Sequence, residues 1–373
     1  MIRQQKNQIL KDLQKKMVLL VGPRQSGKTF LAKDISKSFK NSLYLNFDDI
    51  KDRSIIMNQA WTNKNDLIIF DEIHKMENWK NYIKGVFDTK HEGQSILVTG
   101  SARMDIFNRV GDSLAGRYFI HHLLPLSLSE LAQAGEIADI ERICHHGGFP
   151  EPYFTEGLTD ANRWRKQYID SLLNIDVFEF DSIYNLKAMR TVFELLRHKV
   201  GSPVSYKSIA EDVGISSTTV KKYIQILEAV YVVFSITPYS KNIARSLLKE
   251  PKIYFFDTGL ISHQEGAQFE NLVAVSLFKS VLARADYKAE ECTLHYLRNK
   301  EGQEIDFAIA NNHEIEQAIE VKVSDDSISK SLKSFHTKYQ VPSMQIVKYL
   351  KREHKADNIE VLDARGFLTN LYL

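Results

Sequence analysis

The chain has 373 residues, with 49 Lys and Arg against 47 Asp and Glu for a formal net charge of +2, and is 43% hydrophobic and 26% charged. That length exceeds what one hydrophobic core usually supports, so two or three domains are expected, and the near-balance of charge gives no chain-wide nucleic-acid signature. Two isolated cysteines, Cys144 and Cys292, do not make a disulfide framework or a zinc site, no apolar run approaches a membrane span, and the polar, lysine-rich stretch from Met1 to Lys16 has no secretory core. A reducing, cytoplasmic setting without membrane contact is the expectation.

The first informative element is a buried-strand pattern, Val18 to Val21, running into Gly22, Pro23, Arg24, Gln25, Ser26, Gly27, Lys28 and Thr29 and then a helical stretch from Phe30 to Lys37. This is the complete GxxxxGK[ST] phosphate loop. Glycines at 22 and 27 let the backbone curl so that successive amide N–H groups face phosphate oxygens, and the following helix presents its positive end to the same anion. Lys28 is expected to reach the β and γ phosphates and Thr29 to ligate Mg²⁺. ATP is the expected ligand.

Apolar runs recur at 18–21, 43–47, 67–70, 96–99 and 118–124, separated by helical spacing. The rhythm predicts βαβ units: an α/β P-loop NTPase fold with a parallel sheet and helices on both faces. The run Leu67 to Phe70 ends in Asp71 and Glu72, at the sheet edge where α/β ligands bind. Asp71 is expected to hold Mg²⁺ through water, and Glu72 to orient or deprotonate the attacking water, making hydrolysis the expected outcome of binding.

The run from Ile96 to Thr99 ends in hydroxyls at Thr99 and Ser101. In ATPases with an extra strand between the phosphate-loop and Walker B strands, a polar side chain there senses the γ-phosphate; either hydroxyl fits, and so does strand capping. Arg117, just before the fifth run, fits a finger acting on a neighbour's nucleotide in a homo-oligomer, and fits equally a surface arginine paired with a carboxylate.

GPRQSGKT, LIIFDEIH, LVTGSA, SLAGR followed by LLPLSLSE, and GGFPE at Gly147 to Glu151 together resemble the bacterial and archaeal AAA-type ATPases related to the STAND class, which carry a C-terminal nuclease-like domain of unknown function. The resemblance spans nearly the whole chain and implies that GGFPE marks the exit from the ATPase core. Cys144, His145 and His146 precede it, but three adjacent residues rarely converge on one ion. The expected organisation is an ATPase domain over 1–150, a helical and winged helix-turn-helix domain over 151–259 and an α/β nuclease-like domain over 260–373.

In the middle segment, Val204 to Leu227 reads as helix, turn, helix. Ser205 caps a helix carrying Ile209 and Val213, Gly214 makes the turn, and Ser216 caps a second helix with Val220, Ile224 and Leu227 inward and Ser217, Thr218, Lys221, Lys222 and Gln225 outward. Val230 to Ile236 and Lys252 to Phe256 would form a wing. Between Lys187 and Lys252 there are eleven Lys or Arg against five Asp or Glu, which suits contact with DNA phosphates. A structural lid or an oligomer contact has the same pattern.

In the last third, Glu304 to Phe307 opens a strand, Asn311 to His313 turns, and Ala318 to Lys322 returns. With the turn near Asn312, Asp306 lies opposite Ala318 and diagonal to Glu320, while Glu320 and Lys322 share a face. This is the PD-(D/E)xK nuclease layout, in which Asp306 and Glu320 hold Mg²⁺ or Mn²⁺ and Lys322 orients water or offsets charge. Glu270 resembles the supporting acid of that superfamily. Two functions follow: an ATP-driven DNA-handling enzyme with metal-dependent cleavage, or an ATP-dependent switch whose C-terminal domain binds DNA or protein without cutting.

Overall fold

A computed structural model describes residues 3–100, 114–176, 185–240, 249–261 and 264–372. The chain divides into two compact units, Met1–Leu124 and Pro125–Leu373.

The first unit is built on five parallel strands, β1 (Met17–Val21), β2 (Ser42–Asn46), β3 (Leu67–Asp71), β4 (Ser95–Gly100) and β5 (Tyr118–His122), in the order β2-β3-β4-β1-β5. The near-continuous apolar runs reflect a sheet covered on both faces. Alternate residues sort between two cores: Met17, Leu19, Val21, Ile68, Phe70, Ile96 and Val98 pack with Ile56, Trp79, Ile83 and Val86 on one side, and Val18, Leu20, Leu67, Ile69 and Leu97 pack with Ile9, Leu13, Leu31 and Ile35 on the other. β4 lies between the phosphate-loop strand and β3, the extra-strand arrangement expected from the sequence.

The second unit begins with short helices. In GGFPE, Gly147 has φ +79°, and a Cβ there would stand 1.8 Å from Asp257 Oδ1. Asp257 is buried against Arg165, Oδ2 to Nε 3.4 Å, so the motif is a packing device in which only glycine clears a buried ion pair. Burial raises Asp257 to about 6, with Arg165 and backbone N–H groups opposing the rise.

Helices Tyr206–Val213 and Ser217–Ala229 follow. Ser205 and Ser216 cap them through bonds from the Ser208 and Thr219 N–H groups, and Gly214 sits in the left-handed region between them. Val220, Ile224 and Leu227 are buried, while Ser217, Thr218, Lys221, Lys222 and Gln225 are exposed. Strands β6 (Val233–Ile236) and β7 (Lys252–Phe255) pair antiparallel.

A 24-residue helix, Glu265–Lys288, precedes a mixed sheet. Its strands are β8 (Cys292–Arg298), β9 (Glu304–Asn311), β10 (Glu314–Lys322), β11 (Ser343–Val347), β12 (His354–Ala356) and β13 (Ile359–Asp363), in the order β12-β13-β11-β10-β9-β8. The β9–β10 hairpin turns at Asn312 and His313, both with positive φ, but a register shift between Ile315 and Gln317 sets Phe307 opposite Ile319. Asp306 therefore comes level with Glu320, a correction to the expected pairing with Ala318, and the cause is one bulge that no composition signal marks. Among the described residues no helix is long and apolar enough to cross a membrane.

Candidate functional site

The phosphate loop joins β1 to the helix Lys28–Ser36. Gly22 has φ +148°, and a Cβ there would lie 2.3 Å from the Leu123 carbonyl oxygen, so the loop can pass β5 only as glycine. Gly27 takes φ +96° at the helix N-cap and Gln25 φ +61°, the alternation that aims backbone N–H groups inward. Arg3 donates to the Ser26 carbonyl at 2.5 Å and to that of Leu124 at 3.2 Å, bracing the loop from behind. No sequence motif marks Arg3 for this part.

Lys28 is buried and folded back on the loop, its Nζ donating to the carbonyls of Gly22 at 3.0 Å and Pro23 at 2.6 Å. Burial lowers its ammonium to about 8, while the carboxylates of Glu72 and Asp71 pull the other way.

Three hydroxyls converge on Asp71 at the end of β3. Thr29 Oγ1 donates to Oδ2 at 2.9 Å, Tyr44 Oη donates to the same oxygen at 2.5 Å, and Thr99 Oγ1 donates to Oδ1. Of the two expected sensors, Thr99 is fully buried with its hydroxyl on Asp71, and Ser101 lies outside the described residues. No motif marks Tyr44; its sequence signal is a place on β2, next to β3. Burial and the Asp71 carboxylate push the Tyr44 phenol well above its ordinary value. A hydroxyl and a carboxylate 2.9 Å apart beside the loop form an oxygen donor set suited to Mg²⁺.

Glu72 turns away from Asp71 through a left-handed backbone, φ +58°, and its N–H donates to the Thr99 carbonyl at 3.1 Å. Its Oε2 lies 3.6 Å from His74 Nε2 and 3.8 Å from Lys75 Nζ. Burial and the neighbouring Asp71 charge raise its carboxyl above the usual range. A carboxylate so placed, beside but apart from the Thr29 and Asp71 oxygens, can accept a proton. Arg117 is held by Asp88 through two bonds, 2.7 Å from Nε and 3.1 Å from Nη2.

In the second unit, Glu270 and Asp306 do come together, but around an ammonium. Lys252 Nζ lies 2.7 Å from Glu304 Oε1, 3.7 Å from Glu270 Oε1 and 3.8 Å from Asp306 Oδ1. Tyr254 Oη donates to Glu270 Oε1 at 2.7 Å, and the Val321 N–H donates to Asp306 Oδ2 at 2.9 Å. Glu320 accepts from Lys322 Nζ at 2.7 Å through Oε1, while its buried Oε2 has no hydrogen-bond partner among the described residues. Burial and the Asp306 charge push Glu270 up to about 8 and Glu320 up to about 7. For Lys252 burial acts downward, and the carboxylates of Glu270, Asp306 and Glu304 outweigh it to raise the ammonium. Among the described residues no group of three or more His, Cys, Asp or Glu is arranged to hold a metal ion, and Glu270 and Asp306 face the Lys252 ammonium.

Residues 14–132 match the AAA domain family, residues 137–271 a domain of unknown function, DUF8612, and residues 265–366 another, DUF4143. An uncharacterized protein of Mycobacterium tuberculosis is 26% identical over 373 residues, covering 95% of this chain and 81% of that protein. One from Methanocaldococcus jannaschii is 26% identical over 340 residues, covering 80% and 73%. Among solved structures, the Walker-type ATPase PABY2304 of Pyrococcus abyssi aligns with a TM-score of 0.42 at 12% identity, over 69% of this chain and 94% of its own. The Thermotoga maritima RuvB Holliday junction branch migration motor aligns with a TM-score of 0.32 at 17% identity, over 63% and 88%. With the AAA match lying on the five-stranded sheet and its phosphate loop, the N-terminal part of the chain is a P-loop ATPase domain.

Proposed function

We propose that this protein is a Mg²⁺-dependent ATPase working as a nucleotide-driven switch, in which nucleotide state at Lys28, Asp71 and Glu72 controls a DNA-binding helix-turn-helix segment. The observation that carries this reading is the convergence of Thr29, Tyr44 and Thr99 on Asp71 with Glu72 set one residue beyond, turned aside by its left-handed backbone.

The loop amides from Gly22 to Thr29 bind the phosphates. With phosphates bound, Lys28 would exchange its bonds to the Gly22 and Pro23 carbonyls for bonds to the β and γ phosphates. Thr29 and Asp71 would hold Mg²⁺, which when bound would offset phosphate charge. Tyr44 and Thr99 fix the Asp71 carboxylate. Glu72 takes a proton from, or orients, the attacking water, and its raised pKa suits a base that must hold that proton in the transition state. Arg117 serves as a pair with Asp88 on the same domain.

In the second unit the exposed Lys221 and Lys222, beside Ser217, Thr218 and Gln225, support reading one helix face as a DNA-contacting surface, and the antiparallel β6–β7 pair that follows supports reading the segment as winged. The C-terminal sheet is a binding module in this reading, because Lys252 occupies its acid cluster. Duplex DNA affinity measured with Glu72→Gln in ATP and in ADP tests the coupling. A difference between the two nucleotides that disappears in Lys28→Ala is expected; equal affinities in both would refute the switch.

A further inference from the structure

The acid cluster of the C-terminal sheet draws its charges from separate elements: Glu304 and Asp306 from β9 and Glu270 from the helix Glu265–Lys288. All three carboxylates look onto one buried Nζ, at 2.7 to 3.8 Å, and Lys252 is only 1% exposed. Carboxylates crowded together and only 20%, 26% and 21% exposed need a cation among them, since uncompensated charge that is largely buried is unfavourable. An open metal centre would meet that need with an ion held at about 2.0–2.6 Å by oxygens. Here the need is met by a lysine that the chain itself supplies.

The strand carrying that lysine belongs to the helix-turn-helix side of the unit. β7 pairs with β6, the Val204 N–H donates to the Pro251 carbonyl at 2.8 Å, and Pro203 and Lys252 form a backbone bridge directly before the capped helix that starts at Tyr206. The lysine also lies over the Tyr296 ring of β8, 5.4 Å from its centroid. On the opposite side, Gly201 leaves room for Glu270: a Cβ there would stand 2.7 Å from Glu270 Oε2. Backbone around the helix-turn-helix segment and side chains of the sheet are thus fitted to each other at the cluster.

We infer that Lys252 is the resident counter-ion of Glu270, Glu304 and Asp306, a tethered ammonium beside two of the acids of the nuclease-like layout, so that the cluster is a metal-independent joint between the helix-turn-helix segment and the C-terminal sheet. Removing the ammonium while keeping the length of the side chain then opens a divalent cation site that the native protein does not have. This inference is independent of ATP hydrolysis, because it concerns residues far along the chain from the phosphate loop and is read by metal binding alone.

The test is Mn²⁺ titration of the full chain without nucleotide, followed by electron paramagnetic resonance of the free ion. It compares the native protein, Asp306→Asn, Lys252→Met and Lys252→Met with Asp306→Asn, each checked for folding by circular dichroism. Native protein and Asp306→Asn are expected to give the same weak background. Lys252→Met is expected to bind one further Mn²⁺, at least about tenfold tighter than that background once the repelling charge is gone, and to lose it when Asp306→Asn is added. Native protein that binds an equivalent of Mn²⁺ lost in Asp306→Asn overturns the inference, as does a folded Lys252→Met that gains none. Should Lys252→Met fail to fold, Lys252→Met with Glu304→Gln removes one charge of each sign and carries the same comparison, and the native arm decides independently.

Discussion

Tyr44 Oη donates a 2.5 Å hydrogen bond to Asp71 Oδ2, the oxygen that also accepts from Thr29 at 2.9 Å. The two residues stand on adjacent parallel strands, β2 and β3, so the phenol approaches the carboxylate from the sheet rather than from the loop. With Thr29 turned to a bound Mg²⁺, Tyr44 and Thr99 would be left to hold Asp71 in place. Tyr44→Phe is therefore expected to lower turnover and raise the Mg²⁺ concentration needed for half-maximal rate, each by about 10-fold or more, as loss of a partner behind a metal ligand does. Steady-state hydrolysis across a Mg²⁺ series reads both, and unchanged values in a folded variant would remove Tyr44 from the site.

Lys28 gives a pH dependence with a definite sign. In the nucleotide-free chain its pKa is depressed to about 8, so the ammonium is charged below that pH and neutral above it. Bound phosphates need the charged form. ATP affinity is expected to be flat below pH 8 and to fall by about tenfold per unit above it, with proton uptake on binding. Calorimetry in buffers of different ionisation enthalpy measures the uptake; proton release in that range would contradict the assignment. Lys28→Ala is expected to abolish nucleotide binding.

Gly147→Ala tests the packing account of GGFPE. The added methyl would stand 1.8 Å from Asp257 Oδ1, on a backbone at φ +79°. Left-handed backbone alone costs a non-glycine residue about 1–2 kcal/mol, and displacing one partner of the Arg165–Asp257 pair adds to it, for a total on the order of 3 kcal/mol. Denaturant unfolding of the second unit's transition is the measurement. A loss below about 0.5 kcal/mol, the level of an ordinary surface change, would mean the pair is not confined as described.

Much of the first unit is legible in the sequence because its chemistry is local. Each strand is a run of apolar residues, and the loop from Gly22 to Thr29 carries its function in eight consecutive residues. Asp71 is found the same way, at the end of one such run. What was not legible depends on pairing between distant segments. Tyr44 meets Asp71 through the β2–β3 register, Arg3 reaches Ser26 from the N-terminus, and Lys252 meets Asp306 across 54 positions of sequence. The bulge near Ile315 moved Asp306 from Ala318 to the level of Glu320, a shift no spacing rule reveals. The basic excess between 187 and 252 is visible in composition, whereas the burial of Lys252 among carboxylates depends on the fold.

Lys221→Glu combined with Lys222→Glu reverses two exposed charges on the second helix of the helix-turn-helix pair. Weaker binding to duplex DNA and a smaller dependence on salt are expected, since each lost phosphate contact removes roughly 0.9 from the slope of log affinity against log salt. Fluorescence anisotropy at several salt concentrations reports both, and an unchanged slope would assign that face to protein contact.

In the proposed function Glu72 is the base of an ATP-hydrolysing site. Purified Glu72→Gln, assayed for ATP binding by calorimetry and for phosphate release under single-turnover conditions, addresses it directly. Nucleotide affinity within about threefold of the native protein, with hydrolysis reduced by about 10²–10⁴-fold, is the predicted result. Hydrolysis at the native rate by the substituted protein, with its phosphate release still abolished by Lys28→Ala, would contradict it.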